Sequence, residues 1–335
     1  MAERVLPRPG RGPFTGDMTQ WTENEIPDQT GRTVVITGAG RGLGLITARA
    51  LAGAGARVVL GVRDLDRGRR AVAGLPGRFD VRPLDVADLG SVRAFAAAWT
   101  GDLDVLINNA GVMDTPAART ADGFDRQTAT NYLGPFVLTN LLLEHVTDRV
   151  VHVTSQLHRQ GRIDLADLDW RTRPYHSMAA YRASKLAVVL HSLELQRRLD
   201  ARGSVVRSVL ASPGIARTGL AAHSRSDIVN RVPFLTNSPE QGALSLLYAA
   251  TQDVPGNAYV GPGGLGGLRG SPAVGRPGRN GLDEELAARL WDVTAELVGP
   301  APRSPEAADG GGVYICSYDP LRSPGPDRRP AAPPA

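Results

Sequence analysis

A tyrosine and a lysine stand four residues apart, at Tyr181 and Lys185, in a stretch whose apolar spacing predicts a helix from about residue 179 to 199. On a helix this spacing places both side chains on one face and within reach of each other. An ammonium group beside a phenol stabilises the phenolate and lowers the phenol pKa from its usual value near 10. The pair therefore predicts general acid/base chemistry with Tyr181 as the proton carrier.

Lys185 is the only lysine among 38 basic residues, and the other 37 are arginines. A sequence with so strong a preference for arginine is expected to keep lysine where a guanidinium group cannot replace it. A compact ammonium can donate to two hydroxyl groups at once, which a planar guanidinium does poorly. The position of this lysine therefore indicates that the protein uses Tyr181 and Lys185 for acid/base chemistry.

A glycine-rich loop follows the first predicted strand and leads directly into a helix. It reads Thr37-Gly-Ala-Gly-Arg-Gly-Leu-Gly44. Glycines allow a tight turn and let backbone N–H groups approach a pyrophosphate, and the helix N-terminus adds partial positive charge. The loop opens the first strand–helix–strand unit, which is the context that a dinucleotide site requires.

Short strands rich in β-branched residues alternate with helical patterns from residue 31 to 299, which we interpret as one catalytic domain. The alternation predicts an α/β fold, a doubly wound parallel Rossmann sheet of about seven strands with helices on both faces. Residues 1–30 and 300–335 are rich in proline and glycine, so we expect a flexible N-terminal extension and a disordered C-terminal tail.

The composition excludes several classes of protein. The single cysteine, Cys316, rules out an intramolecular disulfide and disfavours a cysteine-based zinc site, and we predict no metal. The +4 net charge is spread among acidic residues without a basic, aromatic-interleaved stripe, so a nucleic-acid partner is not expected. No apolar run reaches the roughly 18 residues of a membrane span, and no secretion signal is evident. We expect a cytoplasmic protein.

The loop spacing T-G-x-x-x-G-x-G, together with Asn108-Asn-Ala-Gly111 and Tyr181-x-x-x-Lys185, resembles the short-chain dehydrogenase/reductase family over about residues 30–298. The insertion between Ser155 and Tyr181 resembles the branch of retinol dehydrogenase-like and WW-domain oxidoreductase-like proteins. The resemblance implies a catalytic set of Ser155, Tyr181, Lys185 and Asn131. In the family the serine orients and polarises the substrate carbonyl, and the asparagine holds a water in a proton relay with the lysine.

The resemblance also implies a nicotinamide cofactor held beyond the strand ends. The predicted cofactor-binding residues are Gly38, Gly40, Arg41, Gly42, Leu43, Gly44, Arg63, Asp85, Val86, Asn109, Ala110, Gly111, Tyr181, Lys185, Pro213, Gly214 and Thr218. The second strand ends at Val62, where NAD-binding relatives carry an acid for the ribose 2′-hydroxyl. Arg63 follows and can grip a 2′-phosphate, and Arg41 supplies a second base. We therefore expect NADP(H) rather than NAD(H).

These features predict an NADP(H)-dependent oxidoreductase that interconverts an alcohol and a ketone or aldehyde, with Tyr181 as general acid/base. Apolar residues in the insertion 156–178 and in a lid at 215–235 favour a lipophilic substrate, although packing against the sheet explains them equally well. Relatives assemble as homodimers or homotetramers through helices that correspond to 123–144 and 179–199, so a homo-oligomer is expected.

Three alternatives remain open at this point. The same tyrosine and lysine would serve a reductase of an activated C=C bond or a quinone, which product analysis with an enone separates from a carbonyl reductase. A non-catalytic, NADP-sensing regulator would bind nucleotide without turnover, and the intact catalytic set argues against it. A scaffold whose tails recruit partners would be revealed by deleting residues 1–17 and 302–335.

Overall fold

The strands form a single sheet. In chain order they are β1 (Thr33–Thr37), β2 (Arg57–Val62), β3 (Arg78–Pro83), β4 (Leu103–Asn108), β5 (Val146–Val153), β6 (Arg207–Ala211), β7 (Tyr259–Gly264) and β8 (Arg269–Gly275). The structure is a computed structural model and describes residues 21–214 and 237–299. The spatial order is β3-β2-β1-β4-β5-β6-β7-β8, and every neighbouring pair is parallel except β7 and β8.

Helices cover both faces of this sheet. They are α1 (Gly42–Gly53), α2 (Leu65–Val72), α3 (Leu89–Ala97), α4 (Arg126–Thr128), α5 (Gly134–Leu142), α6 (Ser177–Ala201), α7 (Pro239–Thr251) and α8 (Glu284–Val298). The predicted α/β class and doubly wound parallel sheet are confirmed. None of the helices in the described part of the chain is long and apolar enough to cross a membrane.

Two apolar cores lie on opposite faces of the sheet. One forms around α1 and α7 and includes Val34, Ile36 and Leu246, all fully buried. The other forms around α3, α5, α6 and α8 and includes Leu106 and Leu190. The strand residues point alternately into the two cores, which is why these strands read as continuous apolar runs in the sequence.

The strand order of the sheet changes direction between β1 and β4. β2 and β3 lie to one side of β1, whereas β4 to β8 follow on the other. In open α/β sheets the crevice beyond the carboxyl ends of the strands at this point is where ligands bind. The glycine loop after β1 and the residues after β4 border this crevice.

The eighth strand and the first half of the long middle helix differ from the sequence prediction. β8 was not predicted, because its glycines and Pro272 are atypical of a strand and are tolerated here at an antiparallel edge. The helix predicted from 123 to 144 begins at Arg126 and is interrupted by a π-helical turn at Ala129–Leu133 before α5. Asp125 caps its start by accepting a hydrogen bond from the Thr128 N–H, at 2.8 Å.

The N-terminal segment contributes to one of the cores. Trp21 is buried, and its ring contacts that of Tyr248 edge-on with 5.3 Å between the ring centres. Trp21 and Gln29, which the sequence analysis assigned to the flexible extension, are thus buried against the domain. Residues 1–20 and the tail from 300 lie outside the described residues, so the remainder of that domain assignment stays a prediction.

The last helix of the described residues, α8, lies against α5 and α6. Trp291 stacks on His191 of α6 at 5.2 Å and meets Phe136 of α5 edge-on at 4.9 Å. The Tyr132 and Thr294 hydroxyls are hydrogen bonded at 2.7 Å. The chain itself therefore covers part of the helical surface through which the sequence analysis expected copies to associate.

Candidate active site

Tyr181 and Lys185 both lie buried in the N-terminal half of α6. Their exposed fractions are 3% and 4%, and Lys185 Nζ is 5.9 Å from the centre of the Tyr181 ring. Nζ donates to the carbonyl oxygen of Val153 at 3.0 Å, and Thr154 Oγ1 donates to the Lys185 carbonyl at 3.0 Å. These two bonds fasten the helix to the carboxyl end of β5, beside the crevice.

The pKa of Tyr181 moves in the direction opposite to the one expected from sequence. Burial raises it to about 12, while the hydrogen bond with the Ser155 side chain acts to lower it. Burial also lowers the pKa of Lys185 to about 8. The loss of hydration thus outweighs the Ser155 hydrogen bond, and the phenol of Tyr181 keeps its proton at neutral pH. A protonated Tyr181 suits the donation of a proton to a carbonyl oxygen.

Ser155 follows the end of β5 and begins a 3-10 helix, Gln156–Gln160. Its Oγ accepts from the backbone N–H of Leu157 at 3.3 Å and interacts with the Tyr181 side chain. The backbone of Ser155 is extended, with φ −146° and ψ 151°, as is usual for the residue that precedes a helix. The two predicted catalytic hydroxyl groups are therefore adjacent in space, although 26 positions separate them in the sequence.

Asn131 lies in the π-helical turn and is buried. Its side chain accepts from the N–H of Val112 at 2.8 Å and donates to the Val112 carbonyl at 2.9 Å. Its amide nitrogen also donates to Ser184 Oγ at 2.9 Å. Gly111 lies between Asn131 and Lys185, since a Cβ there would be 3.2 Å from Asn131 Oδ1 and 3.5 Å from Lys185 Nζ. The structure thus brings Asn131 into the group of predicted catalytic residues.

The glycine loop needs its glycines for two reasons. Gly38 and Gly42 have φ of +68° and +58°, a conformation that other residues rarely adopt. A Cβ on Gly44 would lie 2.5 Å from Asn109 Nδ2, so only glycine allows α1 to approach the strand after which Asn109 stands. A Cβ on Gly42 would meet no atom within 4 Å, so the loop is open on that side. Such a loop at the start of a helix can accept a pyrophosphate.

Thr37 links the glycine loop to the segment after β4, and the sequence analysis did not select it. Its Oγ1 accepts from the N–H groups of Asn109 at 3.0 Å and Ala110 at 2.9 Å. Asn109 Nδ2 donates in return to the Thr37 carbonyl at 2.8 Å. The first threonine of the loop motif was the available signal. Asn109 and Ala110 thus join the segment after β4 to the glycine loop.

The arginines predicted to select the cofactor lie at the surface near the loop. Arg41 precedes α1, and Gly40 beside it would place a Cβ 3.5 Å from Val62 at the end of β2. Arg63 is 71% exposed, and its guanidinium is 3.9 Å from the Asp85 carboxylate. Asp64 does not pair with it. Asp64 caps α2 by accepting from the N–H of Arg67 and lies 3.7 Å from the Arg67 guanidinium.

The segment after β3 approaches the middle helices closely. Asp85 accepts from the N–H of Ala87 at 2.9 Å, and its own N–H donates to Ser91 Oγ at 2.9 Å. Val86 is buried, and a Cβ on Gly134 would lie 1.8 Å from the Val86 carbonyl oxygen. Only glycine at the start of α5 permits this approach. Asp85 and Val86 are therefore fixed at the crevice edge.

The other predicted cofactor-binding residues lie after β6 and at the start of α1. Pro213 and Gly214 follow β6, and the Pro213 carbonyl accepts from Asn237 Nδ2 at 3.1 Å. Leu43 stands in the first turn of α1. Thr218 and the predicted lid at 215–235 lie outside the described residues. Within the described residues, no three potential metal-ligating histidine, cysteine, aspartate or glutamate side chains are grouped together.

The site thus combines a glycine-lined phosphate loop with a Ser–Tyr–Lys–Asn group at the carboxyl ends of parallel strands. Consistent with this, residues 32–229 match the family described as short chain dehydrogenase. The chain belongs to this family, whose members are oxidoreductases that use NAD or NADP.

Similar proteins place the chain in a particular branch. It is 39% identical over 293 residues to human retinol dehydrogenase 13, covering 80% of this chain and 85% of the relative. It is 41% identical over 296 residues to polyprenol dehydrogenase of Mus musculus, covering 82% and 86%. A crystal structure of an uncharacterized protein from Mycobacterium paratuberculosis has 47% identity and a TM-score of 0.75, covering 84% of this chain and 98% of that one. The chain therefore belongs to the retinol dehydrogenase-like branch.

Proposed function

We propose that this protein is an NADP(H)-dependent oxidoreductase that interconverts a lipophilic alcohol and the corresponding aldehyde or ketone. The observation that carries the proposal is the contact between Tyr181 and Ser155 beside the buried Lys185, at the edge of the glycine-lined crevice. This arrangement offers a hydroxyl to hold a carbonyl oxygen and a phenol to protonate it.

The residues around the crevice fit a nicotinamide dinucleotide. The glycine loop is open on the side of Gly42, and the start of α1 directs backbone N–H groups toward it. The pyrophosphate would be held by this loop, the adenosine by Asp85 and Val86, and the nicotinamide end by Pro213 and Gly214. When bound, the cofactor supplies or accepts the hydride.

Preference for NADP(H) is supported by the charges beside β2. Arg63 is largely exposed, and its one ion pair within the described residues is the 3.9 Å contact with Asp85. Such a contact is weak and leaves the guanidinium available for a phosphate. Asp64 is engaged by Arg67 and by the start of α2, so it does not neutralise Arg63.

In the reductive direction, Ser155 would hold the carbonyl oxygen and Tyr181 would give it a proton. The raised pKa of Tyr181, about 12, keeps the phenol protonated before the reaction. Lys185, fixed on the Val153 carbonyl, would favour the phenolate that remains. Asn131 would hold a water next to Lys185, and protons would pass onward through that water. In the oxidative direction the same groups remove the alcohol proton.

A lipophilic substrate is supported by the names of the relatives, which include retinol and polyprenol dehydrogenases. The apolar residues of the insertion lend less support than expected. Leu168 is buried, and Ile163 and Leu165 pack against the core around α5 and α6. In this part of the insertion the structure favours the alternative that apolar side chains pack against the fold.

Assembly and cellular location remain proposals. A homodimer would have to use surfaces other than the parts of α5 and α6 that contact Trp291 and Thr294 of α8. Tyr132, which bonds Thr294, lies in the π-helical turn, so this part of the expected interface is also occupied. The cytoplasmic location expected from composition stays a prediction.

The decisive experiment follows NADPH oxidation with a panel of carbonyl compounds that includes all-trans-retinal, using wild type and Tyr181→Phe. We expect the wild type to reduce the carbonyl and the variant to bind NADPH but to lose nearly all turnover. An enone in the panel separates carbonyl reduction from C=C reduction by product analysis. Full activity of Tyr181→Phe would contradict the proposed mechanism.

A further inference from the structure

The His158 ring joins two backbone groups that are distant in the sequence. Its Nδ1 lies 2.6 Å from the carbonyl oxygen of Ser155, and its Nε2 lies 2.8 Å from the backbone nitrogen of Gly278. Gly278 can only donate through its N–H, so Nε2 must be the unprotonated nitrogen. The proton of the neutral ring is then on Nδ1 and is donated to Ser155.

The ring is therefore unavailable for acid/base chemistry. His158 is fully buried against the ring of Tyr259, with 5.6 Å between ring centres. Both ring nitrogens are engaged by backbone groups. The charged groups around it do not favour a second proton either, since Arg159 next to it is cationic and acts with burial to lower its pKa.

The same 3-10 helix is held by further bonds from the segment after β8. Asn280 Nδ2 donates to the carbonyl oxygens of His158 at 3.0 Å and Gly161 at 3.2 Å. The Arg159 guanidinium donates to the carbonyl of Arg276 at 2.8 Å. These bonds fix the helix as a whole. The Ser155 carbonyl also accepts from the His158 backbone N–H at 3.0 Å, but among these contacts only the His158 ring links Ser155 to the segment after β8.

We propose that His158 is a positioning residue that orients Ser155 for the reaction. By holding the Ser155 carbonyl while anchored on Gly278, it fixes the backbone from which the Ser155 hydroxyl points toward Tyr181. The inference rests on the proposed function, because it requires that Ser155 holds the substrate oxygen. It assigns a role to a histidine that the acid/base mechanism does not use.

Two substitutions separate the two bonds of the ring. His158→Asn places an amide near the position of Nδ1 and can still donate to Ser155, whereas His158→Gln places its amide near Nε2 and can still accept from Gly278. Reduction of all-trans-retinal by NADPH gives kcat and KM for each variant, and thermal unfolding gives Tm. We expect a similar drop in Tm for both variants. We expect kcat to fall only in His158→Gln, by about 10- to 100-fold, which is the usual effect of removing a residue that orients a functional side chain.

Asn280→Ala is the matched control, because it loosens the same helix without touching the Ser155 bond. We expect its Tm to fall and its kcat to stay within threefold of wild type. In a Ser155→Ala background, measured in single turnovers, His158→Gln should cost no further activity, because its target is already absent. Equal kcat losses for both histidine variants, or an additive loss with Ser155→Ala, would show a merely structural role and overturn the inference.

Failure of the proposed function has a different signature. A Ser155→Ala variant with full activity would remove Ser155 from the mechanism, whereas an inactive Ser155→Ala with a fully active His158→Gln would overturn only the positioning role.

The bonding of the His158 ring can also be tested without substitutions. Nitrogen NMR of the folded wild type should show the His158 proton on Nδ1, and a proton on Nε2 would contradict the bonding on which the inference depends.

Discussion

Lys185 Nζ is hydrogen bonded to the carbonyl oxygen of Val153, the final residue of β5, at 3.0 Å. The bond fixes the position of the ammonium at the carboxyl end of a central strand instead of leaving it on a flexible side chain. Burial lowers the pKa of Lys185 to about 8, so the group is still largely protonated at neutral pH. The positive charge of Lys185 is therefore held in one position and kept at neutral pH, close to the phenol of Tyr181 that would have to release a proton.

Replacing this lysine should separate activity from folding. We expect Lys185→Met to fold, because the unbranched side chain fills similar space, and to lose turnover by at least about 100-fold, the usual contribution of acid/base assistance. Steady-state kinetics with NADPH and circular dichroism measure the two effects. Lys185→Arg is the informative companion variant. Wild-type turnover by Lys185→Arg would show that charge suffices and that the compact ammonium has no special role.

Cofactor preference should depend on Arg63. We expect Arg63→Ala to weaken NADPH binding by roughly 10- to 100-fold, as expected for losing a charge-assisted hydrogen bond of about 1.5–3 kcal/mol, and to leave NADH binding nearly unchanged. Fluorescence titration with both nucleotides measures the ratio. Arg67→Ala is the matched control, since Arg67 lies nearby and pairs with Asp64. Parallel losses for NADPH and NADH would contradict the predicted contact with the 2′-phosphate.

Buried histidines should make the fold sensitive to acid. Burial lowers the pKa of His152 to about 3 and that of His158 to about 4, whereas an unfolded histidine titrates near 6.5. Between these values the unfolded chain binds more protons, so the free energy of unfolding falls as pH is lowered from about 6.5 toward 3. Each unit of pKa difference corresponds to about 1.4 kcal/mol. Titration of His152 alone should therefore lower the free energy of unfolding by on the order of several kcal/mol between pH 6.5 and pH 3.

Urea unfolding at a series of pH values measures this dependence. We expect His152→Asn to be less stable than wild type at pH 7 but to show a shallower loss of stability below pH 6.5. His145→Gln serves as the control, because its residue is only half-buried at the sheet end. An unchanged slope in His152→Asn would mean that this histidine is not the source of the acid sensitivity.

Helix α8 should be essential for stability. Trp291 is buried between Phe136 and His191, and the Arg198 guanidinium lies 4.5 Å from its ring centre. We expect Trp291→Ala to cost about 3–5 kcal/mol of unfolding free energy, as for other buried aromatic truncations. Chemical denaturation measures this. Leu282→Ala, at a residue that is 49% exposed, should change stability by less than about 0.5 kcal/mol.

The sequence predicts the parts of this fold that depend on local patterns. Strands buried on both faces and the loop after Thr37 follow from apolar runs and glycine spacing, so the parallel sheet and the crevice could be anticipated. The edge strand β8 could not, because Pro272 and its neighbouring glycines are tolerated only where one side of the strand lacks a partner in the sheet.

In the candidate active site, too, local sequence patterns predict some features, while others depend on tertiary packing. Ser155, Tyr181 and Lys185 could be selected from their spacing and the resemblance to a family. The raised pKa of Tyr181 could not, because it depends on how completely tertiary packing removes water from the phenol. The His158 bond to Gly278 likewise joins residues 120 positions apart, and no local pattern predicts such a contact.

The packing of α8 on α5 and α6 has a consequence for biosynthesis. A ribosome makes this helix after all the other helices and strands of the described chain, so a nascent chain ending before residue 284 presents the apolar surface around Phe136 and His191 to the cell. Surface of this kind recruits chaperones or aggregates. Productive folding of this domain therefore has to wait until Trp291 leaves the exit tunnel and docks against Phe136 and His191.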